Sequence, residues 1–273
     1  MLRLLRTELV KQIRRPRTWL ALGFVTLVPI IIAIALKANP PSAGGGPREG
    51  ERFFELATQT GIMLPVAALR VMSRFFLVVV LCLFAGDAIA SEAGWGNLRF
   101  VLVRPVGRGR LLAAKLVVAG LFGLLATFLV AGSGLLAGGI GFGFEPLSIP
   151  LLGISQSVGT LLAHLGLAVV LVWWGLAGVV AFGFMLSAMT DSSAGAIIAA
   201  VGFYIITSIL DAITALGAIR YAFPTHYFDA WSDLFLGHGF TDDMWRSVLV
   251  QIPYVLFFCG IAWWWFHHKD ITS

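Results

Sequence analysis

The sequence predicts an all-α integral membrane protein with six transmembrane helices, and three observations carry that prediction. Of its 273 residues, 59% are hydrophobic and only 12% charged, whereas an ordinary soluble domain has about 25% charged residues. Uncharged segments at 19–36, 116–144, 146–190, 192–210 and 247–268 match or exceed the roughly 17–25 residues that cross a bilayer. Basic residues gather at the N-terminus, in one internal loop and at the C-terminus, as they do on the cytoplasmic side of a membrane protein.

At the N-terminus Leu2, Leu5, Leu9 and Ile13 recur at three- and four-residue spacing, while Arg3, Arg6, Glu8, Lys11 and Arg14 occupy the other faces. This is the pattern of an amphipathic helix over residues 1–17, expected to lie along the inner membrane surface. An arginine-rich start before an apolar run resembles a secretory signal, but no small-residue cleavage site follows, so the segment is expected to be retained. Pro16 breaks the pattern, and 19–36 forms span 1.

Residues 39–50, with Pro40, Pro41 and Gly44 to Gly46, read as a loop. Span 2 is defined least sharply, because its uncharged part, 75–86, is too short alone. It must take in Arg70, Arg74 or Asp87 near the interfaces, where long side chains snorkel. Residues 111–140 form span 3, and Gly138 to Gly143 read as a flexible outer turn. Pro146 and Pro150 place the following residues in an outer loop or short re-entrant piece, leaving 158–188 as span 4. A tight turn at 190–193 precedes span 5, 194–215. The segment 217–246 mixes aromatics with Asp229, Asp233, Asp242 and Asp243, reading as an interfacial belt or as short helices capping an exit. Span 6 is 247–266, and Trp263 to Trp265 anchor its inner end.

Six crossings put both termini on one side. That side holds 12 of the 19 basic and 5 of the 14 acidic residues, and the other holds 7 and 9, giving +7 and −2 for the stated net +5. Both termini are therefore expected in the cytoplasm of a multi-pass plasma-membrane protein, placed in a bacterial inner membrane. Anionic lipids account for the basic excess, and nucleic acid is not expected, since no basic run carries interleaved aromatics. Cys82 and Cys259 sit alone in apolar runs, so neither disulfide nor metal is indicated. Within the spans Gln156, His164 and Asp211 are polar. A neutral His164 bonded to a carbonyl is the expectation, without a chain of acids for proton relay. Small-residue pairs at Gly134 and Gly138, Gly159 and Ala163, and Gly195 and Ala199 permit close helix approach.

The loop 87–115, DAIASEAGWGNLRFVLVRPVGRGRLLAAK, is long for a turn. Leu98, Val101 and Leu102 stand at helical spacing, Arg104-Pro105 stops the run, and Gly107 and Gly109 precede span 3. A short helix fixed across the cytoplasmic mouth can pass a cytosolic partner's motion to the spans on either side. Glu92, Gly96-Asn97-Leu98-Arg99, Leu102, Arg104-Pro105-Val106, Arg108, Leu111-Leu112 and Lys115 resemble the coupling loop of ABC-2 type transporter permeases. Asn97, Gly107 and Ala114 depart from that family's usual Thr, Ser or Thr, and Gly. The amphipathic start, the six crossings and the turn from Ser187 to Ser193 extend the resemblance along nearly the whole chain.

The resemblance implies a single permease domain over 1–273, with an interface helix at 1–17, a cytoplasmic coupling helix between spans 2 and 3 within 87–115, and an extracytoplasmic segment at 217–246. It implies Glu92, Leu98, Arg99, Leu102, Arg104, Pro105 and Arg108 at the ATPase contact. Two cytosolic ATPase subunits carry ATP and magnesium, and a second permease copy, identical or a related permease, completes the unit. The chain itself holds no G-x-x-x-x-G-K-[ST] phosphate loop, so no cofactor or hydrolysis is expected in it. The implied activity is outward movement of an amphipathic or lipophilic cargo, such as a drug, peptide antibiotic or lipid. An integral-membrane enzyme would need a polar catalytic constellation, and only Asp229, Asp233, His226 and His238 crowd together, without a recognised spacing. A channel or scaffold would not depend on an ATPase.

Overall fold

A computed structural model describes residues 1–40, 49–94, 107–149, 154–237 and 239–268. The chain begins with α1 (Leu2–Ile13) and α2 (Pro16–Ala38). Pro16 stands at the first position of α2, where its missing N–H costs nothing. Three short helices follow: α3 (Glu49–Gln59), α4 (Met63–Ser73) and α5 (Phe76–Gly86). After α6 (Ala90–Gly94) comes α7 (Arg108–Phe142), then an antiparallel ribbon of β1 (Leu147–Ile149) and β2 (Ile154–Gln156). The α8 (Val158–Gly175) and α9 (Ala177–Met189) helices together form one long span. Ser192 caps α10 (Ser193–Ala212) by accepting from the Gly195 N–H, which fixes the expected tight turn. Two 3₁₀ segments, η1 (Thr214–Ala222) and η2 (Phe228–Leu236), lead to α11 (Asp242–His268).

Apart from the ribbon, the described structure is helical. Five of its helices are long and apolar enough to cross a membrane, and a sixth span forms if α4 and α5, bent by 60° at their junction, are one broken crossing. The protein is therefore a multi-pass membrane protein.

Two sets of contacts define the two ends of the bundle. At one end Arg15 and Arg17 bind Asp87, Arg108 Nη1 donates to the His267 carbonyl, and the Ser187 hydroxyl accepts from the Ile89 and Ala90 N–H groups. At the other end the Gly61 N–H donates to the Gly143 carbonyl and the Thr60 hydroxyl to that of Glu145. We call these the near and far ends.

Several sequence expectations are corrected by packing. Of Arg70, Arg74 and Asp87, the charges expected in span 2, Asp87 closes α5 at the near end, whereas Arg74 sits in the break between α4 and α5. The segment from Gly138 to Phe142 is not a turn but the last turns of α7. Gly138 and Gly61 there abut so closely that a Cβ on either would strike the other's carbonyl. Gly134 meets Pro65 the same way, with a virtual Cβ 2.8 Å from the Pro65 Cα. The pairs Gly159/Ala163 and Gly195/Ala199 are instead exposed. The aromatic segment is not only a surface belt: Phe228, Trp231 and Phe235 are buried.

Candidate functional site

The near end concentrates buried charge. α1 is amphipathic as expected, yet its most buried side chains are Glu8 and Gln12. Leu5 and Leu9 pack against the core, while Leu2 is 83% and Ile13 45% exposed. Charge explains this inversion. Lys115, only 4% exposed on α7, places its ammonium 2.9 Å from Glu8 Oε2 and 2.9 Å from Glu92 Oε1. It also donates to the Ala88 carbonyl. Lys11 donates to Glu8 Oε1 at 2.8 Å and to Glu92 Oε1 at 3.0 Å. Two carboxylates and two ammonium groups from α1, α6 and α7 thus form a neutral knot.

Beside the knot Asp87, 1% exposed, accepts from Arg15 at 2.6 Å and Arg17 at 2.5 Å. Arg15 also reaches the Asp87 carbonyl, and Gln12 donates to Thr18 across the α1–α2 corner. The corner is therefore pinned to the end of α5. A cavity of about 10 Å³ beside these groups has room for roughly one water.

Burial pushes the Glu92 carboxyl up, but the ammonium groups of Lys115 and Lys11 outweigh it and hold the carboxyl below its ordinary value. Burial likewise lowers Lys11, and Glu8 and Glu92 together raise it above the ordinary lysine value. Both shifts favour the charged pairs.

Of the residues expected at the ATPase contact, Glu92 lies in this knot and Arg108 opens α7. Leu98, Arg99, Leu102, Arg104 and Pro105 lie outside the described residues. The knot stands at both roots of that stretch: Glu92 on α6 just before it and Lys115 on α7 just after it. Glu8, Lys11, Arg15, Arg17 and Asp87 were not singled out by spacing alone. The signal was present in Glu8 and Lys11, polar positions on an otherwise basic helix face, but their partners lie some 80 to 107 residues away.

A second polar region lies toward the far end. The segment 214–236 folds back between helices: Tyr254 donates to the Ala222 carbonyl, and Gln251, fully buried, donates to the Pro224 carbonyl and accepts from the Gly178 N–H. Asp211 at the end of α10 pairs with Arg220 and His226, and Arg74 pairs with Asp229. His164 stands edge-on to Phe235, and its buried Nδ1 has no partner among the described residues instead of the expected carbonyl bond. Gln156 donates to the Leu234 carbonyl.

Five apolar helices of membrane-crossing length and the bent pair α4–α5 define a polytopic α-helical membrane protein. Residues 55–272 match the family described as Protein of unknown function (DUF2705), and the chain belongs to that family. It is also similar to the probable ABC transporter permease protein NosY of Pseudomonas aeruginosa, at 38% identity over 78 residues, 29% of this chain and 28% of that protein. The NosY of Stutzerimonas stutzeri is 34% identical over 102 residues, 37% of this chain and 33% of that protein. The chain thus matches a third or less of these curated relatives' length.

Proposed function

We propose that the protein is the membrane-spanning permease subunit of an ATP-driven exporter of the ABC-2 type, with both termini cytoplasmic in a bacterial inner membrane. The observation that carries the reading is the near-end knot. It joins the N-terminal helix to both roots of the stretch 95–106, whose residues resemble a coupling loop. A push on that loop from a cytosolic partner reaches α1 through Glu92 and Lys11, and α7 through Lys115, without passing through soft backbone. The local similarity to probable ABC transporter permeases supports the same reading.

In this reading two ATPase subunits, holding ATP and magnesium, contact Leu98, Arg99, Leu102, Arg104, Pro105 and Arg108 of two permease copies. Glu92 acts behind the contact by holding the loop's root. The exposed apolar residues of α1, Leu2 and Ile13, lie against inner-leaflet lipid, while Leu5 and Leu9 pack on the core. The test is purification of the tagged chain from its native membrane. A soluble ATPase should co-purify, and Arg104→Glu should abolish the stimulation of its hydrolysis while leaving the permease inserted. Purification without an ATPase overturns the reading.

A further inference from the structure

Charge inside a membrane has to face water, protein or ligand, and one ion pair of this chain is both deep and open. Arg74 is twelve residues before Gly86, and Gly86 abuts Ile197 at the near end of α10. At 1.5 Å per residue Arg74 stands about 18 Å along the chain from Gly86, well inside a hydrocarbon core of about 30 Å. Two further routes agree. Along α7, Leu81 meets Gly123 and Pro65 meets Gly134, which brackets Arg74 between those levels. Its partner Asp229 follows Phe228, which packs on Gly175, fourteen residues and about 21 Å above the end of α9.

At this depth the Arg74 side chain is 56% exposed and that of Asp229 40%. The Asp229 Oδ1 is nonetheless buried without a partner among the described residues, so the accessible part of the pair is the guanidinium. Its remaining N–H groups have no partner among the described residues. Next to it Phe75 and Phe76 lie exposed, and Phe76 stacks edge-on with Phe24 of α2, 5.2 Å between centroids. Two larger grooves beside α7, of about 650 and 700 Å³, are lined almost wholly by aliphatic and aromatic groups, and nothing there separates cargo from lipid. The Arg74 face, by contrast, joins a fixed charge to an apolar track.

We propose that Arg74, oriented by Asp229, is a recognition site for the anionic headgroup of an amphipathic cargo, whose apolar part lies along Phe24, Phe75 and Phe76. A planar guanidinium binds a phosphate or carboxylate through two parallel hydrogen bonds, a geometry an ammonium cannot offer. Asp229 occupies one edge of the fork and leaves the other for cargo. As a cargo site this rests on the permease reading, whereas binding at the site does not.

Native mass spectrometry of the purified chain in neutral maltoside detergent tests it, with dodecyl phosphate as probe and dodecyltrimethylammonium as its cationic counterpart. The wild-type protein should take up dodecyl phosphate about tenfold more tightly than the cation, and Arg74→Lys should lose most of that preference. The double variant Arg74→Gln/Asp229→Asn keeps a hydrogen-bonding pair, so it preserves the fold, and it should bind both probes alike. Asp229→Asn alone should retain the anion preference. Equal binding to the wild type, or a preference that survives the double variant, overturns the site. Anion preference in a chain that recruits no ATPase would sink the permease reading and leave the site standing.

Discussion

Lys115 is the residue on which the near-end joint turns, because it neutralises Glu8 and Glu92 together from a position that water barely reaches. Removing one member of a buried ionic cluster leaves its partners charged and unpaired, at about 3–5 kcal/mol. Lys115→Met should therefore destabilise the detergent-solubilised protein by about that much. Lys11→Met should cost less, since the Lys11 side chain is 38% exposed and water screens part of the loss. Thermal unfolding of the variants checks both, and equal effects would show that burial does not set the strength of the joint. The pH profile follows from the two shifts. Glu92 titrates below its ordinary 4.5 when folded, so its contribution is present above that value and is lost as pH falls through the folded one. Lys11 is raised above 10.5, so its contribution is whole below that value and is lost as pH climbs past the folded one. The melting temperature should hold from about pH 5 to 10 and fall outside, and Glu92→Gln should flatten the acid limb.

Between elements the decisive contact is glycine against backbone. Gly61, Gly134 and Gly138 let α4 lie directly on α7, and this is why span 2 begins further out and must bend at Arg74 to reach the near end. Gly138→Leu would drive a side chain into the Gly61 carbonyl, and helix backbones cannot yield as side chains do. The variant should lose about 3 kcal/mol or more, the scale of severe overpacking, whereas Gly141→Leu, with open space around it, should be near neutral; comparable melting losses would deny the seam. Most spans were legible from the sequence for a simple reason: runs such as 116–144 are uncharged for longer than any core helix needs. Span 2 was legible as a crossing but its bend was not, since Arg70 and Arg74 interrupt its hydropathy and the partner of Arg74, Asp229, lies 155 residues away. Gly138 to Gly143 misled because glycine signals a turn locally, while its use here is a long-range approach. The residues proposed for the ATPase contact resemble a motif in the sequence, whereas the near-end joint left no such trace, since Glu8, Glu92 and Lys115 meet only in three dimensions.

In the whole molecule the helices differ in how much of themselves they bury: the apolar windows of α2, α10 and α11 are 22% buried, against 50% for α7 and 56% for α8 with α9. α7, α8 and α9 therefore form the centre of the bundle, and α2, α10 and α11 its rim. A rim can meet lipid everywhere except where it carries charge, and the open Arg74–Asp229 pair breaks the rim beside α2 and α5. Covering that break with a second copy about a two-fold axis gives both guanidiniums a shared, protein-lined space and requires no new surface, since an isologous contact is self-complementary. The active particle should accordingly contain two copies of this chain. In a variant with Cys82 and Cys259 replaced by serine, Phe75→Cys should link two copies through a short bifunctional maleimide, whereas Leu136→Cys, on the 68% exposed position of α7, should not. The lipid-corrected mass of the nanodisc-embedded, ATP-hydrolysing complex decides the count. One copy per particle would refute the paired arrangement, and two copies linked through Leu136 but not Phe75 would place the axis on α7 and leave the Arg74 face to a different neighbour.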